Sequence, residues 1–127
     1  MIRIRVLVCG DRNWTDLGTI QQRLYRLLDE TEEFITVVEG EARGVDTLGR
    51  QAAEELGIKV EAYPADWKQY GRAAGPIRNQ QMLDSGIDLV LAFHPNLSDS
   101  KGTADMVRRA RRAGIEVEVI YGRGGTT

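Results

Sequence analysis

The chain has 127 residues, 42% of them apolar and 28% charged, with a formal net charge of −2. That size suits one globular domain, and no apolar stretch approaches the ~20 residues that cross a bilayer. One cysteine and one histidine exclude an intrachain disulfide and argue against a structural zinc site, so no metal or cofactor is expected and a cytoplasmic protein is. The halves differ: residues 1–63 carry −4 and residues 64–127 carry +2. Much of the positive side is Arg108, Arg109, Arg111 and Arg112, which read as a solvated helix face.

Ile2, Ile4, Val6 and Val8 alternate and, with Leu7, predict a largely buried first strand that Gly10 ends. Thr15 or Asp16 caps a helix whose apolar positions are Leu17, Ile20, Leu24, Leu27 and Leu28. Phe34 to Glu39 is a β-branched second strand stopped by Gly40. Val45, Leu48, Ala52, Ala53 and Leu56 form the inner stripe of a second helix, with Gly57 at its left-handed cap. Ile58 to Tyr63 is a third strand ended by Pro64, and residues 65–75 read as a structured loop. Pro76 suits the first position of a helix running to about Ser85. Leu89 to Phe93 is the most apolar strand and a central one. Gly102 or Thr103 opens a last helix bearing Met106, Val107, Ala110 and Ala113. Ile115 to Tyr121 is the final strand, and residues 122–127 are expected to be a flexible tail.

Strand and helix alternate throughout. The pattern predicts a single α/β domain over residues 1–121, a Rossmann-like doubly wound parallel sheet of about five strands with helices on both faces. A strand order of 3-2-1-4-5 puts the switch point between the first and fourth strands, where open α/β sheets hold ligands. Gly10, Asp11, Arg12 and Trp14 then face the loop at 94–103.

Ser100-Lys101-Gly102-Thr103 marks a helix start whose free amides and dipole attract anions, with a plain cap as the equal alternative. Neither a GxxxxGK[ST] loop nor GxGxxG is present. Gly40 to Asp46 is a second helix start. There Arg43 offers a bidentate phosphate grip and Asp46 a cap or a ribose acceptor, while Gly40 and Gly44 free the backbone; capping is the favoured reading. Arg78 and Asn79 are expected in the first turn of their helix, where a cation opposes the dipole and calls for an anionic ligand or a partner such as Asp46 or Asp66. Trp14 and Trp67 lie past strand ends, able to stack on a base or to cover core surface. His94 reads as an acid–base group or an incidental loop residue, and Cys9 as a buried strand residue.

Gly-Asp-Arg-Asn-Trp at 10–14, Gly-Glu-Ala-Arg-Gly-Val-Asp-Thr-Leu at 40–48, Ala-Asp-Trp at 65–67, Ala-Gly-Pro-Ile-Arg-Asn-Gln-Gln-Met at 74–82 and Ser-Lys-Gly-Thr-Ala at 100–104 resemble the YspA branch of the cpYpsA-related SLOG family. The resemblance runs from about residue 4 to 120. It implies a Rossmann-like domain that binds a nucleotide or nucleotide-derived ligand, often in phage and bacterial conflict or signalling systems. Among relatives, the Lonely Guy phosphoribohydrolases use a Pro-Gly-Gly-x-Gly-Thr loop, a glutamate and an arginine. Arg78 resembles that arginine and Lys101-Gly102-Thr103 the end of that loop, but Asp99 and Ser100 replace its glycines. Met106 stands where the glutamate belongs, and Asp105, one place early, is rotated by about 100° on the helix. The DNA-processing SMF proteins share a Gly-x-Ala-x-Gly-x-Asp turn like Gly40 to Asp46.

Residues and resemblance together give three expectations. In the favoured one, amides at 10–13, 40–46 and 100–103 with Arg12, Arg43, Arg78 and Lys101 hold phosphates. Asp46 and Asn79 then hold ribose, and Trp14 or Trp67 the base. The second is an N-glycoside hydrolase of nucleotides with Asp46, Arg78 or Asp105 as catalytic candidates. The third, single-stranded nucleic-acid binding, is disfavoured by the net charge of −2 and by only 6% aromatic residues. No membrane partner is expected, and pairing into a homo-oligomer is left open.

Overall fold

The computed structural model describes residues 3–122; Ile2 of the expected first strand and positions 123–127 of the expected tail lie outside them. Five parallel strands run in the order β3-β2-β1-β4-β5. They are β1 (Arg3–Gly10), β2 (Phe34–Glu39), β3 (Lys59–Ala62), β4 (Leu89–Phe93) and β5 (Glu116–Ile120). Helices α1 (Leu17–Glu30), α2 (Val45–Glu55), α3 (Trp67–Tyr70), α4 (Ala74–Asp84) and α5 (Gly102–Arg112) connect them. The chain is thus an α/β Rossmann-like fold with the switch point between β1 and β4, as the spacing predicts.

The side-chain period of two sorts each central strand between two apolar layers. Val6 and Val8 of β1, Val37 of β2, and Leu91 and Phe93 of β4 face one layer with Ile20, Leu24, Val45, Ala52 and Ala53 from α1 and α2. Leu7 and Cys9, Val38, and Val90 and Ala92 face the other, against Met82 from α4 and Met106, Val107 and Ala110 from α5. Strands buried on both faces read as continuous apolar runs because neither face meets water. Each fully buried Leu, Ile or Val contributes about 1.5–3 kcal/mol, so this double layer dominates stability. Gly49, outside the expected stripe of α2, lets the helix sit close on β1: a Cβ there would lie 2.8 Å from Val8 Cγ1.

The segment expected as a loop is helical. Asp66 accepts the Gln69 N–H at 3.1 Å and caps the short α3, a 3-10 turn follows over Gly71–Ala73, and α4 starts at Ala74. Pro76 therefore stands third in α4, still inside the first turn, where a missing N–H breaks no helical bond. Arg78 and Asn79 move two positions deeper than expected, out of the first turn, and the argument from a misplaced first-turn cation falls with that shift.

Candidate functional site

A cleft of about 640 Å³ opens at the carboxyl ends of β1 and β4. Its walls are the β1–α1 loop, the start of α2, the rim of α3 and α4, and the amino end of α5. The strand order makes this convergence: β1 and β4 are neighbours, with Gly10 opposite Phe93 in register, but their chains leave in opposite directions. Gly10 is glycine because a Cβ would strike the Phe93 carbonyl and the Val45 side chain.

On the α2 side the chain fills its own anion site. Asp46, 5% exposed, accepts the amides of Gly40 at 3.0 Å and Ala42 at 3.3 Å on Oδ2. Glu39 accepts the Glu41 amide at 2.7 Å, and Val45 donates to the Asp11 carbonyl at 3.1 Å. The amides expected at 40–46 to hold phosphate are therefore largely spent on the protein. Arg43 is exposed and outside the cleft. Gly44 turns the chain with φ 73° so closely against the β1–α1 loop that a Cβ would collide with the Asp11 carbonyl; its role is packing. Gly40 likewise lies outside the cleft lining, pressed against the Arg78 guanidinium.

Burial pushes the Asp46 carboxyl up to about 6, against the pull of the two amides and of Arg78 and Arg12. Glu39, 1% exposed with Oε2 unpartnered, is raised to about 7, chiefly by burial. Burial, with Asp46 adding to it, raises the Cys9 thiol well above its ordinary value, so Cys9 is an inert part of the cleft floor. Arg78 donates to the Gly40 carbonyl and, at 3.1 Å, to Asn79 Oδ1. It is a clamp between α4 and the 40–42 loop as well as a cation beside Asp46.

The α5 side is open. Ser100 Oγ accepts the amides of Thr103 at 3.0 Å and Ala104 at 3.3 Å. The amides of Lys101 and Gly102 are left without a partner among the described residues. A Cβ on Gly102 would meet nothing within 4 Å. Lys101, Arg12 and Arg72 line the cleft and form no ion pair among the described residues. Asp105 is held by Arg109 at 2.8 Å and Arg108 at 3.3 Å, and by Asn79 Nδ2 at 3.1 Å. That network fixes Asn79, whose amide spans α4 and α5, and it leaves Asp105 little freedom to act on a substrate.

The two tryptophans separate. Trp14 is 6% exposed, edge-on to Phe93 with centroids 5.9 Å apart, and donates to the Asp16 carbonyl at 2.8 Å. It belongs to the core and is absent from the cleft, which corrects its place as a stacking candidate. Trp67 is 53% exposed on the rim, next to Gly75. Asp11 lines the cleft but spends Oδ1 on the Asn13 amide at 3.0 Å. The cleft thus gathers Gly10, Asp11, Arg12, Asp46, Trp67, Arg78, Asn79, Ser100, Lys101, Gly102, Thr103 and Asp105, and excludes Trp14, Gly40, Arg43 and Gly44. Arg72 and Arg108 line it too. No sequence signal pointed to Arg72, because the helical turn that carries it reads as loop.

The model of the YspA, cpYpsA-related SLOG family matches residues 4–70. Gene 61 protein of Mycobacterium phage D29 is 37% identical over 118 residues, spanning 89% of this chain and 93% of that one. Among solved structures, DNA processing protein A (DprA) from Streptococcus pneumoniae superposes with a TM-score of 0.51 at 16% identity. The match covers 94% of this chain and 59% of DprA, and it shows a shared fold. No helix among the described residues is long and apolar enough to cross a membrane.

Proposed function

The chain belongs to the YspA, cpYpsA-related SLOG family, and from that premise we propose that its cleft binds a nucleotide or nucleotide-derived ligand. The observation that carries this reading is the amino end of α5, where amides of Lys101 and Gly102 and cations that have no partner among the described residues share one cleft. Free amides at a helix start plus a positive dipole end make a phosphate cradle. Lys101 and Arg12 add charge, Thr103 a hydroxyl, and Arg72 a further guanidinium on the rim. The base stacks on Trp67, and ribose hydroxyls reach the Asp46 carboxyl.

One observation favours a second reading, N-glycoside cleavage. Asp46 is a buried cleft carboxyl raised to about 6, the kind of group that works as an acid or stabilises positive charge on ribose. Under this reading Asp46, with Arg78 beside it, takes the role; Asp105 is tied up by two arginines. A third candidate ligand is single-stranded DNA, for which exposed Arg111 and Arg112 on α5 form no ion pair among the described residues; DprA is named for DNA processing.

Trp67 supplies the test. AMP, ADP or ATP is expected to quench the exposed Trp67 and leave buried Trp14 unchanged, with a Trp67→Phe control. Saturation at about 100 times Kd should add about 2.7 kcal/mol of stability. Free base appearing by chromatography selects hydrolysis. Binding of single strands with a steep salt dependence selects nucleic acid. Neither quenching nor thermal stabilisation by any of the three nucleotides would overturn the reading.

A further inference from the structure

His94 follows β4 at the cleft, one residue beyond Phe93, which pairs with Gly10. Its backbone amide donates to the Ile120 carbonyl at 3.0 Å, and Pro95 follows. The residue is 9% exposed and lines the cleft. Nδ1 accepts the Asn96 amide at 3.0 Å. A ring nitrogen that accepts an amide proton carries none of its own, so the imidazole is neutral with hydrogen on Nε2. Nε2 has no hydrogen-bond partner among the described residues, and it is not one of their buried unpartnered side-chain atoms, so it reaches solvent. A fixed donor therefore stays free on a residue that lines the cleft. Asn79, another buried polar side chain of this wall, is already bonded through both its amide atoms.

We propose that His94 is a ligand-binding residue whose Nε2–H donates to a phosphoryl oxygen of the bound nucleotide. This assignment rests on the nucleotide reading of the cleft. The other free groups at the α5 end of the cleft, the amides of Lys101 and Gly102 and the ammonium of Lys101, are donors and the Thr103 hydroxyl can donate too, so a group rich in acceptor oxygens suits them all. Phosphoryl oxygens satisfy this, and a neutral histidine adds a directed hydrogen bond to a pocket otherwise built of charge.

The chain holds one histidine, so ¹⁵N-histidine labelling reports one ring. The free protein should show the Nε2–H tautomer, and ADP should shift Nε2. His94→Asn keeps an acceptor for the Asn96 amide and removes the distal donor. It should melt like the parent while ADP affinity falls about 5-fold. His94→Gln, whose amide reaches the Nε2 position, should recover most of that loss. An Nδ1–H tautomer or a charged ring at neutral pH overturns the proposal. So does ADP that quenches Trp67 while leaving Nε2 and the His94→Asn affinity unchanged, an outcome in which the cleft reading survives. Failure of ADP, AMP and ATP to bind the parent protein removes that reading and His94 with it.

Discussion

The amino ends of α2 and α5 carry similar marks, a glycine among polar and charged residues just beyond a strand, and they meet opposite fates. At α2, Asp46 takes the amides of Gly40 and Ala42 while Glu39 takes that of Glu41. At α5, Ser100 takes those of Thr103 and Ala104 and leaves Lys101 and Gly102 open. A helix start draws an anion from solution only where the chain has not already supplied one. The same bookkeeping of amide hydrogen bonds explains why Arg78 and Asp46 face each other: a self-filled site still needs its buried carboxylate balanced.

The sharpest way to break this contrast is to add one methyl group to each end. Gly44→Ala forces a side chain into φ 73° and into the Asp11 carbonyl, and should cost about 4 kcal/mol in urea unfolding. Stability near that of the parent would mean the two loops are not in close contact. Asp46→Asn comes next. Burial raises this carboxyl from 3.8 to about 6, so the folded state holds the proton more tightly than the unfolded one. Its contribution is full below about pH 4 and is lost as pH rises through 6, by about 3 kcal/mol for a shift near two units. The variant should therefore gain on the parent by that amount between pH 4 and 7. A stability difference that does not change with pH would remove the raised carboxyl.

Arg78→Ala should cost about 1–2 kcal/mol, since the Gly40 carbonyl loses a charged donor. It should also move the Asp46 titration higher, because Arg78 favours the ionised form. A carboxyl-carbon NMR titration reads that shift; an unmoved midpoint separates the two groups. Smallest for stability are the changes at α5. Gly102→Ala meets open space and Lys101→Ala breaks no ion pair among the described residues, so both should fold within about 0.5 kcal/mol of the parent. Both should weaken ADP about 10-fold or more, read by Trp67 quenching. Intact affinity in the pair would move the phosphate away from α5.

The sequence by itself determined the α/β architecture and the switch point, because continuous apolar runs such as Leu89 to Phe93 and helical stripes such as Ile20, Leu24 and Leu27 have few ways to bury themselves. It also marked most of the cleft, since the loops at 10–12 and 100–103 follow strands whose ends must meet. Only the tertiary structure decided which amides stay free, that Trp14 turns into the core while Trp67 stays on the rim, and that Asp66 converts an aperiodic stretch into α3. Trp14 meets Phe93 and the Gly40 carbonyl meets Arg78 from far along the chain, while Asp46, Ser100 and Asp66 reach amides three to six residues away, where spacing alone leaves several pairings open. Local spacing encodes periodicity and caps, whereas a hydrogen-bond partner across the fold is chosen only when the sheet brings the two together.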